Sequence, residues 1–558
     1  MTVKWNVQVP MRDGAALSAD VYFAGPAGTP ATTLLARTPY NKNTLEARKP
    51  ALGYAAKGYN FVWMDVRGRG DSGGEFIPYR NEAEDGFDSI EWIARQPWSD
   101  GRIVTWGGSY LGYIQWMTAL LHPPHLAAMI VYVTTSDLLE DYPTGQYIPL
   151  ELCWYRYVDG RVVQYIDDTD WEEIASHLPV ISLDERAGFH SQSWRTGLAH
   201  PVSDTEFWNP VRYQERIAEV TVPVLHITGW YDDAQRGTMV NFSRLTSSTT
   251  AANIRDNQWL IVGPWGHYCF DETPQQLGRV DFGATAAVDL PAWERQWLAA
   301  VLEDDAKPPR VRMFVMGRNQ WREEHEWPLA RTEWTPFLLA SNGSANSRHG
   351  DGRLCRADTP RPGGTHDRFT YDPADPVPFI SDSETHHQIG GPDDYSEIEN
   401  RADILVYTTE PLDQDLEVTG PVRLILYATS SAVDTDFTAK LLDVHPDGLA
   451  RRLCDGMIRA RFRLGYREPP TLLKPGAMSR YEIDLWSTSH VFLADHCIRL
   501  EISSSAFPKY DRNLNTGADL ATGTEMLSAH NTVWHDADHP SQLILPEVPH
   551  SYGPSTHS

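Results

Sequence analysis

Short, almost wholly apolar runs recur along the first part of the chain, separated by amphipathic stretches. Val3 to Phe23 reads as two strands around a turn at Asp13-Gly14. Thr33 to Arg37 and Phe61 to Val66 are apolar runs of strand length, the pattern of strands buried on both faces. Asn81 to Gln96 starts acidic and offers Phe87, Ile90, Trp92 and Ile93 for packing, so a helix is predicted there. Ile103 to Trp106 and Met129 to Val133 are further buried strands, and the apolar helix between them closes at His122-Pro123-Pro124. Val222 to Gly229 and Gln258 to Val262 continue the series, which ends with a helix over Trp293 to Leu302. Buried strands alternating with helices imply a parallel sheet covered on both faces.

The pattern changes twice. From Ser136 to Arg216 strand alternation fades, and Tyr142, Tyr147, Trp154, Tyr155, Tyr157 and Trp171 gather on helix-like runs. This is a helical insertion between sheet strands, expected to roof whatever the sheet edge presents. Tyr142 and Trp154 are candidates for lining a pocket beneath it, and equally for forming the insertion's own core. After Trp327-Pro328 come short strands at Val418–Tyr427, Phe437–Val444, Leu453–Phe462, Arg480–Leu485 and Cys497–Ser503, the spacing of an all-β sandwich. Tyr371 to Pro378 is a proline-dense extended connection. The expected units are an α/β domain over residues 1–135 and 217–333, the insertion at 136–216, and a β domain at 334–558.

Chemistry concentrates where strands end. Ile103-Val104-Thr105-Trp106 runs into Gly107-Gly108-Ser109-Tyr110-Leu111-Gly112, and a helix follows at once. A strand–turn–helix of this kind lifts a serine hydroxyl out of the sheet edge, where a nearby base can make it a nucleophile. Its second glycine stands three residues after the serine, where G-x-S-x-G would have it two after. A glycine-rich turn with an idle serine is the alternative. The partners tip the balance: Trp230-Tyr231-Asp232-Asp233 follows one later strand, and Gly263-Pro264-Trp265-Gly266-His267 follows the next. Ser109, Asp232 and His267 therefore stand in the order of a hydrolase triad, with Asp232 orienting the imidazole and His267 moving the proton.

An oxyanion hole needs two donors. The N–H of Tyr110 is one. The other comes from the loop Thr38-Pro39-Tyr40-Asn41-Lys42, where Pro39 has no N–H and Tyr40 offers a phenolic O–H. A tyrosine simply packing beside the turn is the competing reading.

These segments resemble the cocaine-esterase/X-prolyl dipeptidyl-peptidase family. The resemblance rests on Arg37-Thr38-Pro39-Tyr40, Asp65-Val66-Arg67-Gly68-Arg69-Gly70, the Gly-x-Ser-Tyr-x-Gly elbow, Gly229-Trp230-Tyr231-Asp232 and Gly263-Pro264-Trp265-Gly266-His267. It continues in Val433 to Leu441 and Ser505 to Asn513, is weakest between Asp137 and Arg216, and covers nearly the whole chain. It implies an α/β-hydrolase domain with a helical cap and a C-terminal jelly roll. It also implies Ser109, Asp232 and His267 as triad, and Tyr40 with Tyr110 as oxyanion hole. The displaced glycine is normal in such proteins. The family's α-amino ester hydrolases are similar but carry acids two and three residues after the triad aspartate, where this chain has Ala234 and Gln235. Asp233 and Asp137 are then the acids left to meet an amine. Trp230 and Ala234 join Trp154 and Tyr142 as expected pocket residues.

Composition narrows the rest. At 558 residues, with 41% hydrophobic residues and 20 tryptophans, the chain can build several cores. Five cysteines, Cys153, Cys269, Cys355, Cys454 and Cys497, lack metal or redox spacing, and Cys269 reads as a free buried thiol. A formal charge of −27 works against nucleic acid or anionic membrane as partner. No apolar run is long enough to span a bilayer, and Met1 to Asn6 lacks the pattern of a secretory signal, so a cytoplasmic protein is expected. No metal and no cofactor is expected. The leading expectation is a serine hydrolase that cleaves small acyl esters or amides through an acyl-enzyme. X-prolyl dipeptidyl-peptidase and β-lactam or α-amino ester acylase activities are the alternatives. A carbohydrate-binding jelly roll beside a silent hydrolase domain is an alternative of another kind. The jelly roll is free to wall the cleft or to join a homodimer.

Overall fold

A computed structural model describes residues 2–26, 28–138, 151–247, 250–270, 272–303, 305–380 and 390–549. Its first sheet has ten strands. The first eight in chain order are β1 (Thr2–Pro10), β2 (Ala16–Phe23), β3 (Ala31–Thr38), β4 (Asn60–Asp65), β5 (Ser99–Gly108), β6 (Leu126–Tyr132), β7 (Val224–Gly229) and β8 (Gln258–Gly263). They lie in the order β1-β2-β4-β3-β5-β6-β7-β8, followed by Val311–Val315 and Gln320–Glu324. The run from β4 to Val311–Val315 is parallel, and the outer strands are antiparallel.

Alternation inside these strands explains their apolar composition. Leu35, Val62, Met64, Ile103, Met129 and Val131 enter one core, whereas Leu34, Phe61, Trp63, Val104, Trp106 and Ile130 enter the core on the other face. Helices α2 (Glu82–Ala94) and α3 (Tyr110–Ala119) cover the first face. Helices α1 (Leu45–Ala55) and Leu290–Leu302 cover the second. The expectations for Phe87 and for the end of the sheet need correction. Phe87 is only partly buried and stays out of the core on the first face, whereas Trp92, also partly buried, packs against it with Ile90, Ile93 and the small residues Gly86 and Ser89. The sheet also does not stop at the helix near Leu302, because two more strands extend it beyond β8.

Between β6 and β7 the chain makes short helices at Glu151–Tyr157, Trp171–Ala175, Leu183–Arg186, Gln192–Ala199 and Thr205–Trp208. Leu152, Cys153, Trp171, Ile174 and Trp194 form a core that Phe379, Met457 and Tyr510 of the C-terminal region complete. That region holds an eleven-stranded, largely antiparallel jelly-roll system. Strands such as Cys497–Ser503 alternate Ile498, Leu500 and Ile502 into a common core. Strands at Glu333–Ala340, Arg353–Arg356, His366–Tyr371, Leu405–Thr408, Ala529–Trp534 and Gln542–Glu547 join those read from the sequence. The two sheets are tied together: Met316 N–H donates to Ser489 O, and Val491 N–H donates to Met316 O, both at 2.9 Å.

Candidate active site

The carboxyl ends of β3, β5, β7 and β8 share one sheet edge, the usual place for a ligand in an open parallel sheet. Ser109 is the single joint between β5 and α3, with φ 56° and ψ −123°. Such a backbone costs about 1–3 kcal/mol and persists only where its surroundings hold it. They do so here: Ser109 N–H donates to Tyr132 O at 3.2 Å, and Tyr113 N–H donates to Ser109 O at 2.9 Å. Gly107 has φ 144°, and a Cβ there would lie 2.6 Å from the Leu111 Cβ; one at Gly112 would lie 2.9 Å from the Tyr132 carbonyl. Close approach of helix to strand demands both glycines, whatever their spacing from the serine.

Across the edge, the imidazole of His267 meets two carboxylates. Its Nδ1 lies 2.8 Å from Asp232 Oδ1 and 2.9 Å from Asp233 Oδ1. Asp232 is fixed from two further sides: Thr228 Oγ1 donates to its Oδ2 at 2.6 Å, and the Ala234 N–H to its Oδ1 at 3.0 Å. Burial works to lower the His267 pKa, but the two acids outweigh it and lift the imidazole to about 10. Burial raises Asp232. The same burial acts on Asp233, but the attraction of His267, aided by the charge of Lys509, holds it below the usual carboxylate range.

On the other flank of Ser109 stands Tyr40. Trp154 Nε1–H donates to its phenolic oxygen at 2.9 Å, so the Tyr40 proton is left to point elsewhere. Burial raises the Tyr40 pKa, which keeps its hydroxyl a donor at ordinary pH. The Tyr110 N–H belongs to the first turn of α3, where N–H groups have no intrahelical partner and favour an anion. The Tyr110 side chain serves a different end: its hydroxyl donates to Glu82 at 2.8 Å, and Arg37 pairs with Glu82 at 2.6 Å. That network pins the start of α3 to α2. Buried Arg69 likewise donates to Pro39 O at 2.7 Å and Val158 O at 2.6 Å, tying the Tyr40 loop to the helical insertion.

Ser109, Tyr40, Tyr110, His267, Asp233, Ala234 and Trp154 all line one cavity of about 590 Å³. Asp232 lies behind His267. Trp230 does not belong there: it is buried beside Met313 and Trp327, and its Nε1–H donates to Phe314 O at 2.7 Å, because the strand end turns that side chain away from the edge. Tyr142 falls outside the described residues. The residues sequence reasoning missed are Glu151 and Tyr157, which also line the cavity. They flank Trp154 at three-residue intervals on helix Glu151–Tyr157, a spacing that would have marked them as one face. Trp154 stacks on Tyr79 and Tyr110, at 5.8 and 5.9 Å between centroids, so it packs against the core of the α/β domain and not into the insertion's own core. Gln235 leaves the pocket and donates to Ser487 O at 2.6 Å. Asp137 is buried between Arg212 and Arg467, each 3.2 Å away.

Among the described residues, two groups have donor spacing that suits a metal: Asp232, Asp233 and His267, and, in the jelly roll, Asp443, His445 and His496. No described helix is long and apolar enough to cross a membrane. Cys269 is buried and forms no disulfide among the described residues.

Residues 13–269 match the model of the X-Pro dipeptidyl-peptidase (S15) family, and residues 305–544 match the X-Pro dipeptidyl-peptidase C-terminal non-catalytic domain. A cocaine esterase of Rhodococcus sp. (strain MB1 Bresler) is 36% identical across 98% of this chain and 99% of that protein. Among solved structures, an aminopeptidase from a marine sediment Thaumarchaeota archaeon superimposes with a TM-score of 0.86 at 24% identity, over 98% of this chain and 96% of that one. An α-amino acid ester hydrolase does so with a TM-score of 0.84 at 22% identity, over the same shares. These two likenesses carry the fold.

Proposed function

The chain belongs to the X-Pro dipeptidyl-peptidase (S15) family of serine hydrolases, and on that premise we propose that it cleaves small acyl esters through an acyl-enzyme on Ser109. The observation that carries this reading is one cavity wall holding a strained serine, a phenol and an imidazole backed by Asp232. His267 Nε2 takes the Oγ proton as Oγ bonds the carbonyl carbon, and the carbonyl electron pair moves onto oxygen. Tyr40 O–H and Tyr110 N–H receive that charge, and the imidazolium then gives its proton to the leaving alkoxide.

The pocket favours an ester without a free amine. Its wall is aromatic, with Trp154, Tyr157, Tyr165 and Phe270. Ala234 is neutral, Asp137 is held by two arginines, and Asp233 faces His267. Glu46, Glu151 and Asp167 are the other acids on the cavity wall, and Glu151 stands beside Trp154 on helix Glu151–Tyr157. Simple aryl and alkyl p-nitrophenyl esters should therefore outpace matched α-amino esters. Glu151→Gln should leave the simple esters unchanged and remove whatever α-amino ester turnover exists. A clear preference for the amine in the parent enzyme would overturn the substrate assignment. A fluorophosphonate probe tests the nucleophile: labelling should occur in the parent protein and vanish in Ser109→Ala, and labelling that persists would sink the mechanism.

A further inference from the structure

We propose that Asp233 is a positioning residue of the base, a second carboxylate that shares the Nδ1 side of His267 with Asp232, so that the imidazolium of the transition state faces two negative charges. The inference rests on the triad reading above and goes beyond it.

Geometry supports this first. Asp232 and Asp233 are consecutive, yet the turn after β7 brings one oxygen of each to within 3 Å of the same nitrogen, at 2.8 and 2.9 Å. Their surroundings differ. Asp232 is fully enclosed, and Thr228 and Ala234 bond it as well. The Asp233 side chain is 15% exposed and opens on the cavity. Lys509, buried in the jelly roll, favours the ionised form of Asp233. Lys509 is itself held by Asp455 at 2.8 and 2.9 Å and lies over the rings of Phe379 and Trp486.

The groups around this cluster come from every neighbouring element: Asp232 from the same turn, Tyr268 beside His267, Tyr40 from the β3 loop, Cys153 from the insertion and Lys509 from the jelly roll. Burial raises the pKa of Tyr40 and Tyr268, and that of Cys153 to about 12, so these three stay neutral until strongly alkaline pH. Burial lowers Lys509 to about 8. The fixed charges that act on the imidazole near neutrality are therefore the two aspartates, tempered by Lys509. They stabilise the protonated ring, whereas the reaction begins from the neutral one. Activity should accordingly rise with pH, through the value near 10 to which the ring is lifted.

The test is kcat/KM against pH, over roughly pH 5–11, for a simple aryl ester, in the parent enzyme and in Asp233→Asn. The limb governed by the base should move toward acid by about 1 pH unit or more, with the rate near neutrality rising and the alkaline plateau falling. The downfield Nδ1–H resonance of His267 in the parent protein gives a readout that needs no variant, and it should persist unchanged through neutral pH. An unmoved limb in a folded Asp233→Asn, or a parent ring that titrates near its ordinary value, would overturn the proposal. A variant that alters only KM for α-amino esters would overturn it too, by making Asp233 a ligand for the ammonium group. Fluorophosphonate labelling separates the two levels. A parent protein that fails to label loses the triad reading, whereas labelling with an unmoved limb loses only the role of Asp233.

Discussion

Among the described residues, two carboxylate–imidazole clusters of three or more side chains are built with opposite stoichiometry. At the edge of the parallel sheet, one imidazole, His267, meets two carboxylates. In the jelly roll, one carboxylate, Asp443, accepts from His490 Nε2 at 3.0 Å and His496 Nδ1 at 2.8 Å, with His445 3.7 Å away. The excess of acid lifts the ring in the first cluster. In the second, burial works against the Asp443 charge, but its two histidine bonds hold it below the ordinary range, and burial lowers His445. Both are good ion-pair networks, and only the first shares a cavity with a strained serine. An Asp–His contact by itself is therefore structural chemistry. Catalysis needs the Nε2 side of the ring to face a hydroxyl that the backbone has pushed into the open.

Breaking the first cluster should cost turnover. Ser109→Ala removes the nucleophile and should lower kcat on the order of 10⁶-fold, measured against a p-nitrophenyl ester. Asp232→Asn leaves Asp233 beside Nδ1, so its loss should fall short of the ~10⁴-fold known for a lone triad acid, and the Asp232→Asn/Asp233→Asn double variant should reach it. Equal losses in the single and the double variant would show that Asp233 contributes nothing. Tyr40→Phe should cost about 10²–10³-fold in kcat with KM little changed, the range for one oxyanion donor. Breaking the second cluster should cost stability alone. Asp443→Asn weakens bonds to two imidazoles and should destabilise by roughly 1–3 kcal/mol in denaturant unfolding, with kcat unmoved. A fall in kcat there would erase the contrast between the two clusters.

Much of the site was legible because it sits where strands end. Ser109, Asp232 and His267 each follow an apolar run that can only be a buried strand, and chain order supplied the rest. Tyr40 was a candidate because Pro39 has no N–H, with a packing tyrosine as the competing reading. Trp230 misled for a related reason: it stands two residues before the acid in sequence, but its side chain enters the core next to Phe314. Glu151 and Tyr157 carried a helical spacing that is plain only once a helix is known to run there. In the β domain, strands such as Arg353–Arg356 were missed because four residues with charged ends leave almost no alternation to read.

Local order is what the sequence determined by itself: which runs are buried strands, which glycines let a helix close on a strand, and which three side chains follow strand ends. Period and steric size act over a few residues, so they can be read along a line. Only the tertiary structure decided that Asp233 joins Asp232 on one nitrogen, that Arg69 and Trp154 brace Tyr40, and that a jelly-roll lysine feels an acid of the other domain. Those facts depend on residues tens to hundreds of positions apart, brought within a few ångströms by the packing of two sheets, and no local pattern records such distances.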